Sequence, residues 1–575
     1  MYTKLVNFQI LIALMKKHGI KHIVISAGQT NYPFARSVET DDDFTCYSVV
    51  DERSAAFFAM GLSQELQEPV AIVCTASTAC CNYLSAVTEA YYQGIPLLVI
   101  TCNKDIRDLG QQKLLMIRQD NMFENVTKKE VQLPEVNGKK DFIYCQRLVN
   151  EALLELDHFG KGPVHIDVPN YGQPYSVTDE KLPDVQQIMR HTSADNIDGY
   201  CNKLSKAERI LVICGQGHYS DKAQEQLSIF SSKYNCVIAA EQMANLNIDN
   251  VININRVTTA PGILPDNLIP DIMITMGRNI MDPTWNKFRG KNFEHWYVDV
   301  SGNVVDPCDR LTDIFQYSAE ELFNKFNDYG SDLSNDKVFY NDWKASYNKI
   351  DIPELPLCHI TVINELFNNL PQEGIIHYSI YNSIRISQHF DLPKGFTAYA
   401  NMGALGIDGC LSTFIGQSVI ADKPAFLIIG DLSFFYDMNA LKIKHIKNNV
   451  HILLLNNSGG AEFYQNNGWY DTLDLHTAAK HSNKAEDWAK SNNFEYISVH
   501  NKEELKEKMQ YFVKDHNSPI MLEVFDNIKV DMESLYAMNN INNLSPSNNS
   551  SIKNIAGKIL GESGKKIVKS IIGKG

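Results

Sequence analysis

Short apolar runs that end at polar, glycine-containing turns are the feature that most limits how this chain can fold. One run, residues 425–429, leads directly into residues 430–433, and a second, residues 450–455, leads into residues 456–460. Runs of this kind are typical of strands that are buried on both faces of a parallel sheet. The carboxyl ends of such strands meet at one edge, where open α/β sheets bind ligands. The pattern predicts an α/β fold with doubly wound parallel sheets.

Two hard oxygen ligands stand at these neighbouring strand ends, the carboxylate of Asp431 and the side-chain amide of Asn457. Mg²⁺ favours such oxygens and usually shares its coordination shell with substrate phosphates. The two turns therefore predict a magnesium ion that holds a diphosphate. The alternative is a pair of ordinary strand-to-helix turns, because Gly, Asp and Asn are common turn residues.

This pair of turns resembles the diphosphate-binding motif of thiamine diphosphate (ThDP) enzymes, which combines Gly-Asp-x-Ser with a downstream Asn-Asn. The resemblance implies that Mg²⁺ is ligated by the Asp431 carboxylate, the Asn457 side chain and the backbone carbonyl of Gly459. The further cofactor-binding residues that it implies here are Gly430, Leu432, Ser433 and Gly460.

ThDP enzymes also carry an activating glutamate after an early strand and at the start of a helix. In this chain residues 47–50 form a strand-like run, and Glu52 stands just before residues 54–61, which are predicted to form a packed helix. The resemblance implies that Glu52 hydrogen-bonds the aminopyrimidine ring and so activates the thiazolium carbon. The alternative is an acidic residue that merely interacts favourably with a helix N-terminus.

Three more strand-like runs near the N-terminus end at small-residue turns. They are residues 23–25, 70–74 and 97–100. Recurring strand ends with helical segments between them favour a doubly wound parallel sheet. Gly28, Thr75 and Ser77 lie in the first two turns and are predicted to approach the cofactor.

Within the ThDP enzymes, the chain is most similar to the SEPHCHC synthases of menaquinone biosynthesis, which add decarboxylated 2-oxoglutarate to isochorismate. The similar segments are residues 51–53, 400–409 and 430–441. The resemblance implies that Gly406 and Ile407 contact the cofactor, with Ile407 as the apolar wedge that bends ThDP. The alternative is that Ile407 is an ordinary core residue.

Departures from those synthases favour a different substrate. Met402 stands where they have an arginine, and the turn with Gln29 and Thr30 lacks their other arginine. Arginine pairs with carboxylates bidentately, which neither methionine nor threonine can do. Arg385 remains a candidate for one carboxylate, with a surface ion pair as the alternative.

We therefore expect ThDP- and Mg²⁺-dependent decarboxylation of a 2-oxo acid, with acyl-carbanion transfer to an unknown acceptor. Surface-polysaccharide or other membrane-linked biosynthesis is the expected context. The alternatives are SEPHCHC synthase itself and a non-catalytic scaffold that retains the fold.

Several loop residues are further candidates for substrate contact. Gln29 and Met402 lie in the two segments that lack the family's arginines. Gln112 and Arg118 follow the third N-terminal turn, and Glu462 and Phe463 follow the predicted metal loop. His377 ends a predicted strand and is a candidate acid–base group, because histidine titrates near neutrality. Solvated loop positions, and a structural role for the histidine, are the alternatives.

The length of 575 residues allows three domains with full cores. We predict a pyrimidine-binding domain at residues 1–185, a central domain at 186–355, a diphosphate-binding domain at 356–540, and a linker with a basic amphipathic helical tail at 541–575. The central domain shows no adequate dinucleotide fingerprint. The resemblance implies a homodimer or homotetramer, because Glu52 and Asp431 normally meet across a subunit interface in this family.

A formal net charge of −15 favours solubility and disfavours non-specific nucleic-acid binding. The N-terminus lacks the pattern of a secretory signal, and no apolar run is long enough to span a bilayer, so a cytoplasmic location is expected. The tail from residue 552 to 575 is basic and amphipathic, which suggests peripheral contact with the inner face of a membrane. Docking on an acidic protein surface is the alternative.

Overall fold

The computed structural model of the protein describes residues 1–172, 177–259, 263–281, 284–329, 336–348, 355–467 and 471–539. Contacts within the chain group it into two compact units. The first comprises Met1–Ala194 with Ser301–Gln316, and the second comprises Asp195–Val300 with Tyr317 onward.

The N-terminal domain contains a parallel six-stranded sheet with the order β3-β2-β4-β5-β7-β6. A short antiparallel pair, β1 with β8, lies outside it. The strands are β1 (Tyr2–Thr3), β2 (His22–Ile25), β3 (Thr45–Ser48), β4 (Val70–Cys74), β5 (Leu97–Lys104), β6 (Glu130–Gln132), β7 (Val164–Asn170) and β8 (Val177–Asp179). The helices are α1 (Val6–Lys17), α2 (Tyr32–Glu39), α3 (Glu52–Leu66), α4 (Thr78–Cys81), α5 (Leu84–Gln93) and α6 (Lys139–Leu154).

The central domain has a second parallel sheet with the order β12-β11-β10-β13-β14. Within the first unit, β9 and β15 form a parallel pair. The strands are β9 (Met189–His191), β10 (Ile210–Cys214), β11 (Cys236–Ala240), β12 (Val251–Asn253), β13 (Ile272–Met276), β14 (Glu294–Val298) and β15 (Leu311–Phe315). The helices are α7 (Asp198–Lys206), α8 (Asp221–Lys233), α9 (Ile254–Thr259), α10 (Thr284–Phe288), α11 (Ala319–Asp328) and α12 (Val338–Asn348).

The C-terminal domain repeats the strand order of the N-terminal domain, as β17-β16-β18-β19-β21-β20, with all pairs parallel. The strands are β16 (Glu373–Tyr378), β17 (Gly395–Ala400), β18 (Ala425–Gly430), β19 (Val450–Asn456), β20 (Glu495–Val499) and β21 (Ile520–Phe525). The helices are α13 (His359–Asn369), α14 (Asn382–Ser387), α15 (Cys410–Ile420), α16 (Asp431–Asp437), α17 (Glu462–Asn467), α18 (Asp471–His476), α19 (Glu486–Ser491), α20 (Lys502–Phe512) and α21 (Ile528–Asn539).

Each terminal sheet is buried on both faces, which is why its central strands are almost wholly apolar. In β18, Phe426 and Ile428 belong to one hydrophobic cluster, whereas Leu427 and Ile429 belong to another. Successive side chains of a strand point to opposite faces, so one continuous apolar run supplies two cores. The prediction of three doubly wound α/β domains is confirmed, whereas the exact domain boundaries stay predictions.

The predicted linker and basic tail, residues 541–575, lie outside the described residues. Among the helices that the structure does describe, none combines the length and the apolar character that a membrane crossing requires.

The strand order places the predicted site at a defined position in each terminal sheet. In the N-terminal sheet the chain runs from β2 to β3 on one side and to β4 on the other, so the loops after β2 and β4 flank a crevice. The loops after β16 and β18 occupy the equivalent crevice in the C-terminal sheet. Such switch points are where open α/β sheets bind ligands.

Candidate active site

Asp431 links the two loops that the sequence predicts as the metal site. It is buried at the first position of α16, directly after β18. Its Oδ1 accepts a hydrogen bond from the backbone N–H of Leu432 at 2.7 Å, and its Oδ2 accepts one from the N–H of Gly459 at 3.0 Å. One carboxylate therefore fixes the loop after β19 against the start of α16.

Asn457 has an amide whose orientation is set by a second buried carboxylate. Its Nδ2 donates to Oδ2 of Asp531 at 2.7 Å. Because only the nitrogen end of the amide can donate, this bond assigns the other end as Oδ1. That Oδ1 is buried and has no hydrogen-bond partner among the described residues. A buried acceptor without a partner is costly, and a cation would satisfy it.

Gly459 and Gly460 let the backbone of the metal loop pack against a neighbouring segment. Gly459 has φ +151°, and a Cβ there would lie 2.8 Å from the carbonyl oxygen of Ala478. The N–H of Gly460 donates to the same carbonyl at 2.8 Å. Any side chain at Gly459 would push the loop away from this support, together with the carbonyl predicted as the third ligand.

His481 lies close to the carboxylate of Asp431. Its Nδ1 accepts a hydrogen bond from the N–H of Asn483 at 3.1 Å, which leaves the ring proton on Nε2. That Nε2 lies 3.3 Å from Oδ2 of Asp431. The oxygen donors Asp431, Asn457 and Gly459 thus fit a hard divalent cation such as Mg²⁺.

A cavity of about 300 Å³ opens at this edge of the C-terminal sheet. The residues predicted from the sequence that line it are Ile407, Gly430, Asp431, Leu432, Ser433, Asn457, Gly459, Gly460, Glu462 and Phe463. The structure therefore brings together the predicted diphosphate, metal and wedge residues of this domain in one pocket.

Ile407 is held in the cavity wall through its backbone. Its carbonyl accepts a hydrogen bond from Oγ of Ser433 at 2.9 Å, and that hydroxyl lies 3.1 Å from Oγ of Ser379. A Cβ on the neighbouring Gly406 would lie 2.4 Å from Oδ1 of Asp408, so a larger residue there would require the Asp408 side chain to move. The loop that carries Ile407 is thus tied to the ends of β16 and β18.

Several lining residues were not predicted from the sequence. His359 begins α13, whereas Ser379, Tyr381, Asn382 and Ser383 follow β16. The signal was present, since β16 is another apolar run that ends at the same edge of the sheet. His377 was predicted from this segment instead, because a histidine can act as an acid–base group.

The structure does not support His377 as an acid–base group. The residue is fully buried within β16 and is absent from the lining of the cavity. Its Nδ1 is hydrogen-bonded to Oε1 of Gln417 at 2.9 Å. Burial lowers the pKa of His377 to about 4, so the ring is neutral at physiological pH.

Met402 also lies away from the cavity lining. Its side chain is 2% exposed and belongs to a hydrophobic core cluster, so it contacts apolar neighbours rather than a substrate. Its prediction as a substrate residue is corrected by this burial. Its backbone carbonyl accepts a hydrogen bond from the side chain of Asn279.

Glu462 lies at the cavity, and the charge of Arg385 acts on it. Burial raises the pKa of the Glu462 carboxyl, while nearby Arg385 opposes that rise. Arg385 is exposed on α14, with its guanidinium 5.4 Å from the ring centre of Tyr381. Arg385, Glu462 and Phe463 stay predicted substrate contacts.

A buried acidic cluster lies behind Asn457. Nε2 of His359 is 3.1 Å from Oδ2 of Asp531 and 3.6 Å from Oδ2 of Asp526. Burial, together with the neighbouring Asp531 carboxylate, holds the pKa of Asp526 well above its usual range. The backbone N–H of His359 donates to Oδ1 of Asp531 at 2.7 Å, so this cluster fixes the carboxylate that orients Asn457.

The N-terminal domain places Glu52 at the first position of α3, where it is partly exposed. The helix is capped by Asp51, whose side chain accepts from the N–H of Ser54 at 2.8 Å. Asp51, and not Glu52, therefore provides the side-chain cap of this helix. Glu52 stays the predicted activating residue.

The predicted cofactor turns of this domain are packed against one another. A Cβ on Gly28 would lie 2.3 Å from Cβ of Thr75, so only glycine fits. The buried hydroxyl of Thr30 lies 2.7 Å from Oγ1 of Thr75 and accepts from the N–H of Ala76 at 2.8 Å. Thr30 therefore joins the two turns rather than facing a substrate.

Ser77 has a strained backbone, with φ +78° and ψ −135°, and is held by Gln119. Its N–H donates to Oε1 of Gln119 at 2.9 Å, and Nε2 of Gln119 donates to the buried carboxylate of Asp167 at 2.9 Å. A strained non-glycine residue persists only where its surroundings fix it. Gln119 thus supports the turn.

The remaining substrate candidates of this domain lie on exposed loops. Arg118 is exposed and pairs with Asp120 at 3.2 Å, while Gln29 and Gln112 are also exposed. The neighbouring Gln119, not Arg118, reaches a predicted cofactor turn. The sequence could not separate adjacent loop positions, because their side chains point in different directions.

Two family profiles match this chain. The one described as thiamine pyrophosphate enzyme, N-terminal TPP binding domain, matches residues 7–129. The one described as thiamine pyrophosphate enzyme, C-terminal TPP binding domain, matches residues 382–524. Together with its whole-length relatives, these matches show that the chain belongs to the thiamine pyrophosphate enzymes.

Three relatives share one name, 2-succinyl-5-enolpyruvyl-6-hydroxy-3-cyclohexene-1-carboxylate synthase. The protein from Bacteroides fragilis is 34% identical over 556 residues, which cover 93% of this chain and 98% of that protein. The protein from Bacteroides thetaiotaomicron is 34% identical over 551 residues, with the same coverage. The protein from Christiangramia forsetii is 32% identical over 574 residues, covering 93% and 98%.

These relatives overturn the prediction of a carboligase that acts on a different substrate in membrane-linked biosynthesis. They support the alternative, SEPHCHC synthase, across more than nine-tenths of the chain. The prediction of a new substrate relied on missing arginines at Thr30 and Met402. Both positions are buried here, where Thr30 joins two turns and Met402 packs in a core cluster.

Replacement of Asp431 by asparagine should weaken binding of ThDP with Mg²⁺ by roughly 100-fold, because the ion loses its anionic ligand. The measurement is the rise in melting temperature on addition of ThDP and MgCl₂, which reports affinity through linkage. Asp422→Asn, which changes a carboxylate that is 98% exposed in the same domain, is the matched control. An undiminished rise for Asp431→Asn would remove Asp431 from the site.

His377 should make the protein less stable in mild acid. Its pKa is about 4 in the folded state and about 6.5 when unfolded, so the folded protein binds fewer protons between these values. The stability it contributes is present above pH 6.5 and is lost as the pH falls, by about 2 kcal/mol at pH 5. His377→Asn should therefore show a smaller drop in melting temperature between pH 7.5 and pH 5. An equal drop in both proteins would contradict this titration.

Proposed function

We propose that the protein is a SEPHCHC synthase that uses ThDP and Mg²⁺. The observation that carries this proposal is the shared name of relatives that are 31–34% identical over almost the whole chain. The reaction would join 2-oxoglutarate, after loss of CO₂, to isochorismate and so form the product that the name describes. A ThDP carboligase is the corresponding enzyme class.

The pocket of the C-terminal domain supports the cofactor part of the proposal. Asp431, the Oδ1 of Asn457 and the carbonyl of Gly459 would hold Mg²⁺ and, through it, the diphosphate. Bound ThDP would supply the carbon nucleophile that the protein's own side chains lack. Ile407 would support the bent cofactor, and Glu52 would share a proton with its pyrimidine ring.

We further propose that two copies of the chain complete each site, with Glu52 of one copy facing Asp431 of the other. The resemblance to ThDP enzymes is the basis of this arrangement. It is supported by apolar side chains that α3 and α5 leave exposed on the N-terminal domain, as expected of a surface that another protein covers. They are Phe57, Phe58, Leu84, Tyr91 and Tyr92.

The purified protein with ThDP and Mg²⁺ should convert 2-oxoglutarate and isochorismate to a product with the mass of SEPHCHC, detected by liquid chromatography and mass spectrometry. Glu52→Gln should bind ThDP with unchanged affinity and lose at least roughly 100-fold in kcat, because the amide cannot take up the proton. Glu65→Gln, an exposed position on the same helix, is the matched control. Release of CO₂ from a different 2-oxo acid, without product from these two substrates, would refute the assignment.

Mixing two inactive variants tests the shared site. In a mixed dimer of Glu52→Gln and Asp431→Asn, one site has both substitutions and the other has neither. After subunit exchange, about a quarter of the wild-type activity should return, because half of the dimers are mixed and each has one intact site. If both residues of a site come from the same chain, mixing restores nothing.

A further inference from the structure

The central domain has a topological switch point that holds no predicted ligand. Its chain runs from β10 to β11 and β12 on one side, and to β13 and β14 on the other. The loops after β10 and β13 therefore flank a crevice of the kind in which open parallel sheets bind ligands. Their contacts show what this crevice contains.

The two loops close the crevice by binding each other. The N–H of Gly215 donates to the carbonyl of Met276 at 2.8 Å, and the N–H of Arg278 donates to the carbonyl of Gln216 at 2.9 Å. A Cβ on Gly215 would lie 2.0 Å from the carbonyl oxygen of Arg278. The glycine is required by this close approach of two backbone segments, which leaves no space for a phosphate beside it.

The side chains that leave these loops reach the C-terminal sheet. Nε2 of Gln216 donates to the carbonyl of Ala400 at 2.8 Å, and Nδ2 of Asn279 donates to the carbonyl of Met402 at 2.7 Å. Ala400 is the last residue of β17, which is the edge strand of its sheet, and Met402 lies two residues beyond it. The loops at the switch point of the central domain thus form hydrogen bonds to the edge of the C-terminal sheet.

Asn245, in the loop after β11, makes two further hydrogen bonds to β17. Its Oδ1 accepts from the N–H of Ala398 at 2.7 Å, and its Nδ2 donates to the carbonyl of the same residue at 3.1 Å. A carboxamide that both donates to and accepts from one residue reproduces the bonding of a neighbouring strand. The bonded positions 398, 400 and 402 alternate along the chain, so they present their polar groups to one edge.

Strand β17 leads straight to the cavity of the candidate active site. After Met402 the chain enters the loop with Gly406 and Ile407, and Ile407 lines that cavity. The loop is fixed at both ends, by Asn279 on the carbonyl of Met402 and by Ser433 on the carbonyl of Ile407. Four residues separate these two anchor points, which leaves Ile407 little freedom to move.

We propose that Gln216, Asn245 and Asn279 are positioning residues for catalysis. In this proposal, the loops around the central-domain crevice bind the backbone edge of β17 instead of a small molecule. The three residues set the position of β17 and of the loop after it. They thereby set the position of Ile407 in the wall of the cavity. Asn279 acts most directly, because its partner already belongs to the loop. The catalytic part of this proposal rests on the proposed ThDP chemistry. The hydrogen bonds that hold the loop do not depend on it.

Asn279→Asp and Gln216→Glu test the proposal, because each keeps the side-chain shape but removes the donated hydrogen bond. We expect amide hydrogen exchange, followed by mass spectrometry with ThDP and Mg²⁺ present, to become at least roughly tenfold faster in residues 398–409 and to stay unchanged elsewhere. We expect kcat to fall roughly 10- to 100-fold with KM changed less than about twofold, because a misplaced wedge harms the reacting geometry.

Two further variants separate positioning from general damage. Asn247→Asp makes the same change at an exposed position of the neighbouring loop and should leave exchange and kcat unchanged. Asn279→His returns a side-chain N–H donor and should recover part of the lost kcat. Faster exchange throughout the protein would overturn the proposal. So would an exchange rate in residues 398–409 that equals the wild-type rate in both Asn279→Asp and Gln216→Glu. Absence of SEPHCHC formation by the wild type would refute the proposed function instead, since the exchange measurement needs no substrate.

Discussion

The hydrogen bond from Asn457 to Asp531 is the constraint on which the candidate site depends. It directs Nδ2 toward a buried carboxylate and so leaves Oδ1 free for a cation. If the amide were rotated, its NH₂ group would face the metal. That group carries a partial positive charge and would repel a cation. Because Asp531 also accepts from the backbone N–H of His359, the geometry of one ligand is set by the starts of α13 and α21 as well as by β19. The metal site is therefore a product of the packed domain and not of its loop alone.

The repeated strand order explains how distant segments acquire related tasks. Each terminal sheet exposes its strand ends at a switch point, and each uses closely packed small residues there, with Gly28 against Thr75 in one and Ser379 beside Ser433 in the other. The central sheet has a switch point too, but its loops bind each other and the edge of β17. The switch point is thus the predicted cofactor site in the two terminal domains. In the central domain it supports the neighbouring sheet.

The sequence predicted what depends on local pattern and missed what depends on packing. Strand ends and their ligands, such as Asp431, are visible because an apolar run and a polar turn are adjacent in the chain. His377 was misjudged because its position at the end of an apolar run does not reveal that its ring is enclosed. Met402 was misjudged for the same reason, since only the fold shows that its side chain is buried. Asp531 lies 74 residues from Asn457, so no local pattern could connect them.

The most direct test is to locate the metal ion. Crystals grown with ThDP and Mn²⁺ in place of Mg²⁺ give an anomalous signal that identifies the ion without reference to activity. We expect one strong peak within about 2.3 Å of an Asp431 carboxylate oxygen, Oδ1 of Asn457 and the carbonyl oxygen of Gly459, with the remaining positions filled by diphosphate and water. A peak at the buried cluster of His359, Asp526 and Asp531 instead, or ThDP bound without a metal at Asp431, would contradict the account.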